Sequence, residues 1–212
     1  MIGSPVVHLV DDDESCLRAT ARMLTALGFR IATFSSASGL LAAVSTDTRG
    51  CVVADLSMPD IDGLELQGLL ARVGVQLPLV FLSGHGDIPS TVRAMQGGAS
   101  DFLEKHAPRD LLIAAIRRAL ARDAVEHEER ERIGALRRRF DGLSRRELEV
   151  LREVLRGQMN KQIAASLGIS ERTVKLHRTS IKAKIGVNSA ARLATLARDA
   201  GFSDHGSRPV GA

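Results

Sequence analysis

Cysteine is nearly absent: Cys16 and Cys51 are the only two in 212 residues. Each lies in an apolar stretch, and neither belongs to a CxxC pair or a Cys/His cluster. That excludes a cysteine-built metal site and leaves no disulfide framework, so both read as reduced core thiols. Long hydrophobic runs are lacking too. Those at Pro5 to Val10 and Leu77 to Leu82 fall far short of the roughly 18 residues that cross a bilayer, so no membrane partner is expected. The opening MIGSPVVHLVDDD has no basic segment and meets three aspartates at once, which does not read as a secretory leader; the cytoplasm is the expected compartment. There is no internal repeat.

What remains is ordinary for globular protein, with 44% hydrophobic and 25% charged residues. The length suits two domains, since domains usually run to about 100–150 residues. The charge is unevenly placed. Residues 1–121 hold 10 Lys/Arg against 13 Asp/Glu, residues 122–140 hold 6 against 5, and residues 141–212 hold 13 against 7. A basic C-terminal part suits an anionic partner, nucleic acid or membrane surface, although such a net charge is also common on solvated surfaces.

Short apolar runs alternate with amphipathic ones over the first half: VVHLV, a weaker RIATF, CVVADL, LPLVFL and DFLE, separated by segments of helical spacing. Strands alternating with helices imply a parallel sheet covered on both faces. The expected fold is α/β plus all-α: a doubly wound, flavodoxin-like domain of five βα units over 1–121, a helical linker over 122–140, and a four-helix domain over 141–205. A disordered tail is expected over 206–212. The linker, rich in mixed charge, lacks the sustained apolar heptads of a coiled coil.

In open parallel sheets ligands bind beyond the carboxyl ends of the strands. The residues there are Asp11 and Asp12 after the first run, Asp55 at the end of the third, Ser83 after the fourth and Lys105 after the fifth. Any one alone is more often a cap or turn residue. Together they describe an acidic rim, and carboxylates held close repel one another unless a cation sits among them. Carboxylates with waters and a phosphate oxygen suit Mg²⁺. Such a site assists phosphoryl transfer to a carboxylate nucleophile, with serine and lysine holding the other phosphate oxygens.

The segments VHLVDDDES, VADLSMPDIDG and FLSGHGDIPSTVRAMQGGASDFLEK resemble the receiver domain of two-component response regulators, in spacing similar to the FixJ group. The resemblance implies that Asp55 is the phosphoacceptor, that Asp11, Asp12, Asp55 and the Ser57 carbonyl bind Mg²⁺, and that Ser83 and Lys105 contact the phosphate. Phe102 takes the position of the switch aromatic. One departure stands out: the family almost always has proline after the lysine, often through a cis bond, and here His106 follows Lys105. A cis bond without proline costs about 2.5–4 kcal/mol, so either the peptide is trans or strain is retained.

Over 141–205, Ser144 with Glu147 forms a capping-box pattern, Gly157 can end that helix, and Asn160 can cap the next. Gln162 to Leu167 reads as a short helix, Gly168 as a turn, and Ser170 with Thr173 as the start of a third helix. Its spacing puts Val174, His177, Ile181 and Ile185 toward a core, and Arg172, Lys175, Leu176, Thr179 and Lys182 on the opposite face, suited to base edges in a major groove. Lys161, Arg178 and Lys184 are placed for phosphates. From charge pattern alone a solvated amphipathic helix is the favoured reading.

L-S-x-R-E-x-E-V-L, G-x-x-N-K-x-I-A and L-x-I-S-x-x-T-V-K-x-H-x-x-x-I-x-x-K, all present here, resemble the LuxR-type (NarL/FixJ) DNA-binding signature. That implies a recognition helix in the major groove of double-stranded DNA and a last helix, about 189–198, that pairs two copies. The expected function is a response regulator, not an enzyme in the ordinary sense. A sensor histidine kinase phosphorylates Asp55; the protein then forms a homodimer and regulates transcription. The rivals are a constitutive DNA-binding protein with a vestigial receiver, and a phosphotransfer relay whose basic domain meets RNA, membrane or protein.

Overall fold

The computed structural model describes residues 4–84 and 88–202; the expected tail lies outside them. The chain divides into two compact units between His127 and Glu128. Among the described residues no helix is long and apolar enough to cross a membrane.

The first unit alternates β1 (Val6–Val10), α1 (Glu14–Ala26), β2 (Ile31–Phe34), α2 (Ala37–Ala43), β3 (Gly50–Asp55), α3 (Gly63–Arg72), β4 (Leu79–Ser83), α4 (Ile88–Gln96), β5 (Asp101–Glu104) and the first part of α5 (Arg109–Asp141), whose last part belongs to the second unit. The strands form one parallel sheet in the order β2-β1-β3-β4-β5. From β1 the chain steps outward to β2, then returns past it to β3, so the connections leave β1 in opposite directions. This reversal opens a crevice at the carboxyl ends of β1 and β3.

Alternation along each strand builds two cores. Cys51, Val53, Val80 and Leu82 face one side with Leu24 of α1 and Leu112, Ala115 and Ile116 of α5. Val52, Ala54, Leu79 and Phe81 face the other with Leu40, Leu66, Leu70 and Ala94 of α2 to α4. Burial pushes the Cys51 thiol up to about 12, as an inert core thiol requires.

At the amino end of β3 the fit is close. Gly50 has φ +125°, and a Cβ there would meet the Val6 carbonyl oxygen at 1.8 Å, so only glycine is accommodated. Its N–H donates to Asp123 Oδ2 at 3.0 Å. Asp123, on α5, is fully buried with Arg49 Nε 3.6 Å from its carboxylate. α5 runs on through the stretch expected as a helical linker, and there the Asp123 carboxylate satisfies the first amide of β3.

The second unit holds α6 (Arg145–Leu155), α7 (Asn160–Leu167), α8 (Glu171–Ile185) and α9 (Ala190–Asp199). Val150, Leu151, Ile163, Val174, Ile181, Ile185, Leu193 and Ala197 form its core, and Phe140 from the end of α5 is buried among them, its ring 4.8 Å from that of Phe202. Arg137 donates to the Ala200 carbonyl and Arg139 to the Ile185 carbonyl, so two cations satisfy the carboxyl ends of α9 and α8.

Candidate functional site

The acidic rim forms at the crevice. β1 and β3 are neighbours with Val10 opposite Ala54, so Asp11, just past β1, and Asp55, the last residue of β3, emerge side by side. Asp11, Asp12 and Asp55 each offer a carboxylate oxygen within 4.8 Å of the others. Asp11 and Asp55 are buried and Asp12 is exposed. Asp13 does something different: it caps α1, its Oδ1 accepting from the Ser15 and Cys16 amides, and these bonds with that of the Ser15 hydroxyl, the largest effect, hold its carboxyl below the usual range.

Lys105 reaches into the rim from beyond β5. Its Nζ lies 2.8 Å from Asp11 Oδ2 and 2.9 Å from Asp55 Oδ2. Burial works to lower the pKa of this ammonium, but the two carboxylates prevail and raise it well above the ordinary lysine value, so it stays charged. No peptide among the described residues is cis: the Lys105–His106 bond is trans, and the side chain reaches both aspartates from it. His106 is exposed and faces Glu104, 2.8 Å away.

The remaining expected residues surround this pair. The Ser57 amide donates to Asp55 Oδ1 at 3.3 Å. Ser83 ends β4, 1% exposed, and Phe102 on β5 is half-buried with its ring 6.2 Å from that of Phe81. Gly63 opens α3 directly beneath the end of β3: a Cβ there would lie 2.7 Å from the Asp55 carbonyl oxygen and 2.8 Å from the Phe81 ring. The donor set is all oxygen, from clustered carboxylates compensated by one ammonium, which fits a hard divalent cation.

In the second unit Ser144 caps α6 through a full capping box with Glu147. α7 begins at Asn160 rather than Gln162, and its cap position is Met159, whose N–H donates to the Gln162 side chain. Asn160 is not the cap: its Oδ1 accepts instead from Arg178 at 2.9 Å. Gly168 has φ +65° and makes the turn, and Ser170 caps α8.

On α8, Val174, Ile181 and Ile185 are buried and His177 is half-buried. Arg172, Lys175, Leu176 and Thr179 are exposed, Leu176 to 63%; Lys182 is half-buried and Lys161 on α7 is exposed. Arg178 and Lys184 stand apart from this face: Arg178 is held by Asn160, and Lys184 Nζ is 2.7 Å from the buried carboxylate of Glu147. Sequence reasoning placed Glu147 only as a cap partner. Its further bonds to α8 span 33 and 37 residues, and no local pattern signals them.

Comparison with known proteins identifies the domain in each part of the chain. The family model for the response regulator receiver domain matches residues 7–117, and that for bacterial regulatory proteins of the luxR family matches 141–197. Response regulator protein TmoT of Ectopseudomonas mendocina is 42% identical over 188 residues, covering 89% of this chain and 86% of that protein. Transcriptional regulatory protein FixJ of Rhizobium meliloti (strain 1021) is 39% identical over 196 residues, covering 92% and 96%. The solved structure of response regulator StyR is 42% identical with a TM-score of 0.75, covering 92% of this chain and 99% of that one. The chain therefore belongs to the two-component response regulators that join a receiver domain to a luxR-family DNA-binding domain and regulate transcription.

Proposed function

We propose that Asp55 accepts a phosphoryl group from a sensor histidine kinase in the cytoplasm, and that the phosphorylated protein dimerises and binds promoter DNA. The observation that carries this is the meeting of Asp11, Asp12 and Asp55 at the carboxyl ends of β1 and β3, with Lys105 held between Asp11 and Asp55.

An Asp55 carboxylate oxygen attacks phosphorus in line; the O–P bond forms as the N–P bond to the kinase histidine breaks, and the imidazole leaves as the neutral base once protonated. Asp11, Asp12, Asp55 and the Ser57 carbonyl would hold Mg²⁺. When bound, it supplies positive charge that offsets the negative charge of the phosphoryl oxygens. Lys105, already beside Asp55 Oδ2, meets one phosphoryl oxygen as a point charge, and Ser83 donates to another. Drawing Ser83 toward the phosphoryl group makes room for Phe102 to turn inward. That shift remodels the adjoining α4 face, where Ile88, Val92 and Met95 are exposed one turn apart and offer an apolar contact for a second copy.

On the output side, Arg172, Lys175, Leu176, Thr179 and Lys182 would face base edges in the major groove, with Lys161 on the phosphate backbone. The test is the full chain with magnesium and a small acyl phosphate. The wild type gains one phosphate, shifts in oligomeric state and binds duplex DNA more tightly; Asp55→Asn does none of these. An equal response in that variant overturns the mechanism.

A further inference from the structure

Glu147 does more in this structure than cap α6. The residue is 4% exposed, and the bonds of its carboxylate run to two places. Oε2 accepts from the Ser144 amide at 2.7 Å and from Lys184 Nζ at 2.7 Å, while Oε1 accepts from the Ser180 hydroxyl at 2.6 Å. Lys184 also donates to the Gly142 carbonyl at 3.2 Å. One carboxylate thus ties the start of α6 to two residues one turn apart on α8.

The placement of these ties on α8 matters. At about 100° per residue, Val174, Ile181 and Ile185 form the buried stripe and Arg172, Lys175, Leu176 and Thr179 the outward one. Ser180 and Lys184 run along one edge between the stripes. Arg178, bonded to Asn160 of α7, lies along the other edge. Apolar contacts are non-directional and tolerate a helix rolling or sliding over them. Hydrogen bonds within 3 Å lose strength steeply with misalignment. Two polar ties on opposite edges therefore add a directional constraint on the roll of α8 to that of the core packing.

We infer that Glu147 is a positioning residue for DNA reading, and that Lys184 belongs to this clamp and makes no phosphate contact. The inference rests on the reading of α8 as the DNA-reading helix. Roll decides which side chains reach base edges, whereas phosphate attraction is long-ranged and tolerant of small rotations. Losing the clamp therefore costs sequence discrimination first and general DNA affinity little.

The experiment measures Kd of the full-length phosphorylated chain for two labelled duplexes: one selected from a random-sequence library by the wild-type protein, and one unselected. Glu147→Gln is expected to weaken binding to the selected duplex about tenfold, the scale of a lost charge-assisted hydrogen bond, with the unselected duplex almost unchanged. Equal losses on both duplexes overturn the inference, since a smaller folded fraction would produce them. Lys184→Met is expected to reproduce the loss of discrimination and to leave the salt dependence of binding intact, and the double variant to cost no more than either single one. A fall of about 0.9 in the slope of log K against log salt would make Lys184 a phosphate contact and sink its place in the clamp. Lys161→Met supplies the contrast, because its slope is expected to fall by that amount. Ser180→Ala and Lys184→Met keep Glu147 in place and carry the same discrimination test if Glu147→Gln fails to fold. A wild type with no preference for its selected duplex refutes the DNA-reading role itself, visibly and before any variant is made.

Discussion

Glu147 also makes the stability of the second unit depend on acid. Burial alone would raise its pKa, but the bonds from Lys184, Ser180 and Ser144 prevail and hold it at about 2, against 4.5 ordinarily. A carboxyl whose folded pKa is depressed stabilises the fold above its unfolded pKa, and that contribution is lost as pH falls through the folded value. At about 1.4 kcal/mol per unit the difference corresponds to roughly 3 kcal/mol. The Lys184 side chain is 42% exposed, so solvent screening reduces this to about 1–2 kcal/mol. The perturbation is Glu147→Gln, which keeps the shape and removes the charge. Because the chain has neither tryptophan nor tyrosine, urea unfolding of the full chain is best followed by far-ultraviolet circular dichroism. The acid response of the first unit is common to both proteins, so their difference isolates Glu147. The variant is expected to be less stable by that amount at pH 7. The gap should begin to close as pH falls below 4.5 and vanish near pH 2. A gap that stays constant across this range refutes the argument.

Asp123→Ala leaves the buried Gly50 amide without its acceptor and strips the carboxylate from Arg49; it is expected to destabilise the first unit by about 2–4 kcal/mol, read as faster amide exchange along β3. Gly63→Ala drives a methyl group against the Asp55 carbonyl and the Phe81 ring; a loss of about 1–3 kcal/mol in thermal stability, with slower phosphorylation, is expected, and unchanged melting would contradict the packing. Lys105→Met removes the ammonium between Asp11 and Asp55. Calorimetry should then show tighter magnesium binding by the uncompensated carboxylates, while phosphorylation by an acyl phosphate slows on the order of a hundredfold.

Much of this was legible because it is local or periodic. Strand runs such as CVVADL announce themselves by composition, and a residue just past such a run must sit at the rim of a parallel sheet, so Asp11, Asp55 and Ser83 could be placed together before any coordinates. Asp13 shows where that reasoning blurs: three aspartates in a row look alike, and only the backbone geometry makes the third a helix cap. The start of α7 was misjudged for a related reason. Asn160 is a good capping residue by type, but Arg178, 18 residues on, competes for its side chain.

The larger gap concerns charge. A lysine on a basic helix and an aspartate in a charged linker carry no local mark of whether they face water or a partner far along the chain. Lys184 carried no mark of its tie to Glu147, and 122–140 read as a solvated connector. Yet Asp123 is fully buried against Gly50, and Arg137 and Arg139 close the carboxyl ends of α9 and α8. One helix, α5, thus supplies an anion to the first unit and two cations to the second. In each case the charge sits where the fold leaves backbone groups unsatisfied, at the start of a strand or the end of a helix. Substitutions in such a stretch would act through the stability of the unit each charge completes.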